Sequence, residues 1–151
     1  MMRIFDGIDE LRAAVGQEVG VSSWLSVDQE RIDRFAAATG DHQWIHVDPE
    51  RAKDGPFGAT IAHGYLTLSL IVPMMLELYS VADRKLAINY GLNKVRFPAP
   101  LRSGSRIRGR LTLLAVDDVE GGAQLTWQIE VEGEGLDKPV CVAENLTRIY
   151  F

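Results

Sequence analysis

Cysteine is almost missing: Cys141 is the only one in 151 residues. One thiol excludes an intrachain disulfide and fits a reducing compartment. Positive charge is in deficit, with 16 Lys and Arg against 21 Asp and Glu and a formal net charge of −5. That balance argues against a general nucleic-acid or anionic-membrane binder, while leaving room for a local basic patch. Long hydrophobic runs are absent as well. The longest, Tyr65 to Leu78, is too short to span a bilayer and reads as a buried core helix. The N-terminal stretch Met1-Met2-Arg3-Ile4-Phe5-Asp6 has no signal-peptide apolar region, so a cytoplasmic location is expected. There is no internal repeat, no phosphate-cradling glycine-rich loop and no serine in a nucleophile-elbow motif. What is present is 46% hydrophobic and 25% charged residues, the composition of a globular chain, and a length that fits one domain over 1–151.

The first half is helical in period and the second half strand-like. Phe5, Ile8, Leu11 and Val15 predict a short amphipathic helix, with Asp6 as N-cap and Gly16 as stop. Glu18 to Leu25 is strand-like. Ser26 and Gln29 have capping-box spacing ahead of a helix whose apolar face is Ile32, Phe35 and Ala36, closed by Gly40. Asp48-Pro49 opens a short helical turn, with Pro49 at its first position. A helix over 63–79 is apolar on nearly all sides and needs something to wrap it, and Pro73 is expected to kink it. Beyond it, alternation at Leu86–Leu92, Ile107–Leu113 and Leu125–Val131, and a last run from Val140 to Ile149, predict four half-buried antiparallel strands in a meander. Asp117 to Gly122 is the expected hairpin connection. The sum is an α+β layout.

Two short stretches carry chemistry. Thr39-Gly40-Asp41-His42-Gln43-Trp44-Ile45-His46 places an acid and an imidazole five positions apart, just past a helix stop and flanked by apolar surface. Such a partly dry Asp/His pair can hold one water and move its protons, although Asp41 could equally cap a turn while His46 packs on Trp44. Ile61-Ala62-His63-Gly64-Tyr65 opens the apolar helix. Free N–H groups at a helix start can hold a developing oxyanion, and Gly64 lets a carbonyl approach the backbone closely. Asp41, His42, His46 and His63 suggest a metal site on paper, but His42 and His46 are not expected on a helix, and no metal is expected. Lys94 and Arg96 offer either a solvated strand face or contacts to an anionic ligand's phosphates. Cys141 lies in an apolar run and reads as a core thiol.

Gly40-Asp41-x-x-x-x-His46 followed by Ala62-His63-Gly64 resembles the MaoC-like dehydratases, the (R)-specific enoyl-CoA hydratases. Gln43-Trp44-Ile45-His46 and Asn89 to Pro98 look most like the nodulation-protein-N-like branch. The resemblance implies a hot-dog fold, an antiparallel sheet wrapped around one long helix, usually in a homodimer joined edge to edge with its site near the interface. It puts the catalytic acid and imidazole on Asp41 and His46 and the oxyanion amide on Gly64. It puts His63, Trp44, Asn93, Lys94 and Arg96 on the substrate side. The implied substrate is an acyl-CoA thioester of fatty-acid metabolism, with no cofactor, because CoA is part of the substrate. Where the commoner loop has Asn-Pro, this chain has Gln43-Trp44, a bulkier pair beside the acyl path. Leu66, Leu70 and Met74 are candidates to line an acyl tunnel. The rival readings are a hot-dog thioesterase, for which the central helix offers only Glu77, and a non-catalytic acyl-binding subunit.

Overall fold

A computed structural model describes residues 1–151. The chain runs β1 (Arg3–Phe5), α1 (Ile8–Ala13), β2 (Glu18–Val21), β3 (Leu25–Val27), α2 (Gln29–Thr39), α3 (Trp44–Val47), α4 (Pro49–Ala52), α5 (Gly64–Ser69) and α6 (Ile71–Leu78). It continues with β4 (Tyr79–Val81), β5 (Leu86–Arg96), β6 (Ser105–Val119), β7 (Gly122–Gly133) and β8 (Cys141–Tyr150). No helix is long and apolar enough to cross a membrane.

The large sheet has the order β2-β6-β7-β8-β5, with β3 also pairing β6. Its pairings are all antiparallel. Strict alternation on β6, β7 and β8 gives one apolar face, where Ile107, Leu111, Leu113, Leu125, Trp127, Ile129 and Ile149 are fully buried. The other face is wet: Arg108 and Arg110 both reach Glu132, and Arg110 also reaches Glu18. Against the apolar face lie Leu66, Leu70, Ile71, Met74, Met75 and Leu78 of the helical segment. The closest approach is at Gly109, where an added Cβ would stand 2.9 Å from Met74 Sδ. A side chain there would have to displace the Met74 and Ile129 side chains packed against it. The small parallel pair β1–β4 closes one end.

Several expectations change. The helix expected over 63–79 is two helices meeting at Leu70, whose ψ of −6° departs from helical geometry. Pro73 explains the break: lacking an N–H, it cannot bond the Ser69 carbonyl, and it sits in the first turn of α6, where none is needed. Nor is the segment covered all round, since Tyr65, Val72 and Leu76 remain exposed. The meander holds for β6, β7 and β8, but β5 pairs with β8 at an edge and is exposed along most of both faces. It carries two irregularities, between Asn89 and Gly91 and between Leu92 and Val95. The stretch Glu18–Leu25 is two short strands, β2 and the start of β3.

At the N-terminus Phe5 is in β1, Gly7 is the N-cap of α1 with φ 101°, and Val15 is exposed. Asp6 instead donates its N–H to the Glu10 carboxylate at 2.8 Å. Ser26 belongs to β3, and Asp28 caps α2 by accepting from the Arg31 N–H at 2.9 Å. Strands β6 and β7 run through Asp117 and Asp118 to a two-residue turn, Glu120-Gly121, with Gly121 at φ 79°.

Candidate active site

Helix α2 ends where the sequence said it would: Gly40 takes φ 82° and its N–H bonds the Ala36 carbonyl at 2.8 Å. This left-handed residue turns the chain so that Asp41 overhangs the core rather than continuing the helix. The Asp41 carboxylate accepts from the Gln43 N–H at 3.3 Å, shaping the turn into α3. Helix α3 then points His46 inward, leaving it 7% exposed, and Asp48 caps α4 with Pro49 at its first position.

His46 is fixed from both ends. Its Nδ1 lies 2.7 Å from the carbonyl oxygen of Ile61. A carbonyl can only accept, so Nδ1 carries the proton and Nε2 keeps its lone pair. Burial lowers the pKa of His46 from the ordinary 6.5; the Ile61 bond and Asp41 oppose this, and His63 adds to it. The carbonyl of His46 itself accepts from Gln29 Nε2 at 2.7 Å, while Gln29 Oε1 accepts the Thr60 hydroxyl at 2.5 Å. Gln29 therefore ties the start of α2, the turn carrying Asp41 and His46, and the segment 60–63 together.

His63 is 3% exposed. Its Nε2 donates to the backbone carbonyl of Asp41 at 3.0 Å, and its Nδ1 is buried without a partner. Its ring stacks on His46 with centroids 3.9 Å apart and on Phe35 at 4.9 Å. A donor atom from each of Asp41, His46 and His63 lies within 4.8 Å of the others. Two hydrogen bonds of about 2.8 Å span that separation, so one water fits between two of these groups. The set also has the chemistry of a metal-binding triad. One ring nitrogen of each histidine is already committed to a backbone carbonyl, His46 Nδ1 to Ile61 and His63 Nε2 to Asp41, which leaves each a single nitrogen for a ligand or a water.

These groups line a cavity of about 470 Å³ together with Phe35, Tyr65 and Phe97. Gly64 opens α5 on its wall, where the first N–H groups of a helix have no intrahelical acceptor. An added Cβ at Gly64 would stand 3.1 Å from the Phe97 ring. Asp41, His46, His63 and Gly64 are thus brought together. Trp44 is not: its ring packs under the Arg51 guanidinium at 4.2 Å and over Gly55, outside the cavity. The bulk of Trp44 therefore does not narrow this cavity. Asn93, Lys94 and Arg96 lie exposed on β5, beyond its lining. Glu77 accepts from the N–H and hydroxyl of Ser23, away from the cleft. Leu66, Leu70 and Met74 face the sheet as core. Sequence reading missed Gln29 and Thr60, whose roles are long-range bonds, and Phe35 and Phe97, which read as ordinary apolar positions.

An antiparallel sheet over a central helical segment, with an Asp/His pair on an overhang and a glycine at the helix start, defines a hot-dog hydro-lyase architecture. The MaoC-like domain model matches residues 10–134, and the chain belongs to this dehydratase family. It is 55% identical to 3-hydroxyacyl-thioester dehydratase Z of Mycobacterium tuberculosis, over 97% of this chain and 98% of that one. It is 44% identical to nodulation protein N of Rhizobium leguminosarum, over 94% and 90%. Among solved structures, a monoamine oxidase regulatory protein from Archaeoglobus superposes with TM-score 0.79 at 26% identity, covering 99% of this chain and 97% of that one. The R-hydratase PhaJ1 of Pseudomonas aeruginosa shares the fold, with TM-score 0.69 at 23% identity over 90% and 81%.

Proposed function

We propose that the protein reversibly adds water to a trans-2-enoyl-CoA thioester, giving the (R)-3-hydroxyacyl-CoA. The observation that carries this reading is the Asp41/His46 pair, with a donor atom of each within 4.8 Å of the other and His46 held in the Nδ1–H tautomer. The substrate class is supported by the name of the 55% identical mycobacterial relative.

Water sits between the Asp41 carboxylate and His46 Nε2. One of the two takes a proton from it as the oxygen bonds to the β-carbon. The pair then delivers a proton to the α-carbon on the same face, and both groups return to their starting state. Either group can serve as the base, so the role is assigned to the pair. Electron density pushed onto the thioester oxygen is held by the Gly64 N–H at the start of α5. His63 holds the Asp41 backbone and backs the His46 ring. No separate cofactor is needed. Lys94 and Arg96, exposed on β5 without ion pairs, supply cations for CoA phosphates. The same reading includes a homodimer joined along β5, whose edge exposes Leu86, Ile88, Tyr90 and Leu92. It takes the chain as one domain.

The test is turnover of Asp41→Asn and His46→Gln. Each is expected to lower kcat by roughly 10²–10⁴ with a smaller change in KM. Near-normal kcat in either variant overturns the assignment.

A further inference from the structure

Two cavities outside the catalytic cleft lie between the same two elements that wall it. The first, about 320 Å³, is bounded by Leu68, Ser69 and Val72 of the helices and by Asn89, Gly91 and Leu92 of β5. The second, about 120 Å³, shares Val72 and Asn89 with it and ends at Tyr79, Arg84 and Thr147. Along the helices the order is Gly64 and Tyr65 in the cleft, then Leu68, Val72 and Leu76 one turn after another. Along β5 the order runs from Phe97 back through Leu92 and Asn89 to Ala87. Cleft and cavities thus follow one another along the same helix–strand seam, about 20 Å from Gly64 to Tyr79 at the helical rise, although the cleft shares no lining residue with the other two.

The walls of this seam are mostly apolar, but its far end is not. Arg84 is half-buried there, beside the Tyr79 hydroxyl, and has no carboxylate partner. The hydroxyls of Tyr79 and Thr147, both on residues only 5% exposed, border the same end. Thr147 accepts from Asn145 Nδ2 at 3.0 Å, so its own hydroxyl hydrogen points to the Tyr79 hydroxyl or to a ligand. One of the donors is a fixed cation, and no carboxylate of the chain lines the pocket. A half-buried guanidinium without a counter-charge is costly unless an anion reaches it.

We propose that the acyl chain of the substrate lies along this groove and that its preferred form ends in a carboxylate held by Arg84, with the Tyr79 and Thr147 hydroxyls donating. The substrate class is then an ω-carboxyacyl thioester rather than one ending in a methyl group. This deepens the hydratase reading and rests on its thioester substrate.

Equilibrium binding of saturated, unreactive acyl-CoAs tests it without turnover. Methyl-ended and ω-carboxyl chains of equal length are compared across a series of lengths. Wild type is expected to bind the carboxylated chain about tenfold more tightly at the length that reaches Arg84. Arg84→Met is expected to lose that preference, and Arg84→Lys to keep part of it. Thermal unfolding of the three proteins, expected to give midpoints within a few degrees of one another, reports that the variants fold. Equal binding of the two chain types at every length overturns the proposal, as does a preference that survives Arg84→Met. Absence of binding by any long chain, as when a partner subunit fills the groove, overturns it too. Failure to hydrate any enoyl-CoA while the carboxylate preference holds overturns the reaction instead.

Discussion

At the scale of single residues, burial and hydrogen bonding divide the labour between Asp41 and His46. The imidazole is enclosed and kept neutral with its Nδ1 proton committed to Ile61, while the carboxylate stands exposed on the overhang. His46 is therefore expected to titrate below 6.5 in the folded protein, as read by NMR of the imidazole ring. A midpoint above 6.5 contradicts this. The sign for stability follows from linkage. Above pH 6.5 both folded and unfolded forms are neutral and the contribution is complete. As pH falls below 6.5 the unfolded chain takes up the proton first, so stability declines until the depressed folded value is passed. Cys141 is the opposite case. Burial pushes its thiol up to about 11, so iodoacetamide at neutral pH should leave the folded protein unmodified and fully active. Rapid labelling without unfolding contradicts its placement in the core.

At the scale of elements, the site depends on a strut that no local pattern displays. Gln29 links α2 to the His46 carbonyl and the Thr60 hydroxyl. Gln29→Leu is expected to lower stability by about 1–3 kcal/mol in denaturant unfolding, because it strands half-buried partners, and to lower kcat as α3 loosens. Unchanged stability and kcat would remove Gln29 from the site's support. The Asp/His spacing, the Gly40 stop and the Gly64 helix start were all legible, because each is set by local backbone geometry. Gln29 was legible only as a capping residue, since the competing Asp28 cap and the contact to residue 46 depend on tertiary placement. The same limit misplaced β5. Its alternation fits a half-buried strand, yet pairing order decides exposure, and pairing with β8 puts it at the edge. Period likewise found the apolar segment 63–79 but not its uncovered side, because hydrophobicity alone does not say whether the cover is this chain or another.

At the scale of the molecule, the uncovered surface is concentrated. Tyr65, Val72 and Leu76 of the helices and Leu86, Ile88, Tyr90 and Leu92 of β5 are exposed large apolar groups on neighbouring elements. Such a patch beside a bare strand edge is where the proposed homodimer would join. Ile88→Lys is expected to shift the protein from dimer to monomer in sedimentation, and a wild type already monomeric at micromolar concentration contradicts the edge-to-edge assembly. In the proposed reaction the sheet, the split helix and the overhang serve one function, proton transfer to and from a water at an activated double bond. The most direct measurement is loss of the enoyl-thioester absorbance when crotonyl-CoA is added to wild type and to Asp41→Asn, with chiral analysis of the product. Fast loss in wild type, near-absence in the variant and an (R)-3-hydroxy product are expected. An (S) product, equal rates in the two proteins, or release of free CoA without hydration contradicts the assignment.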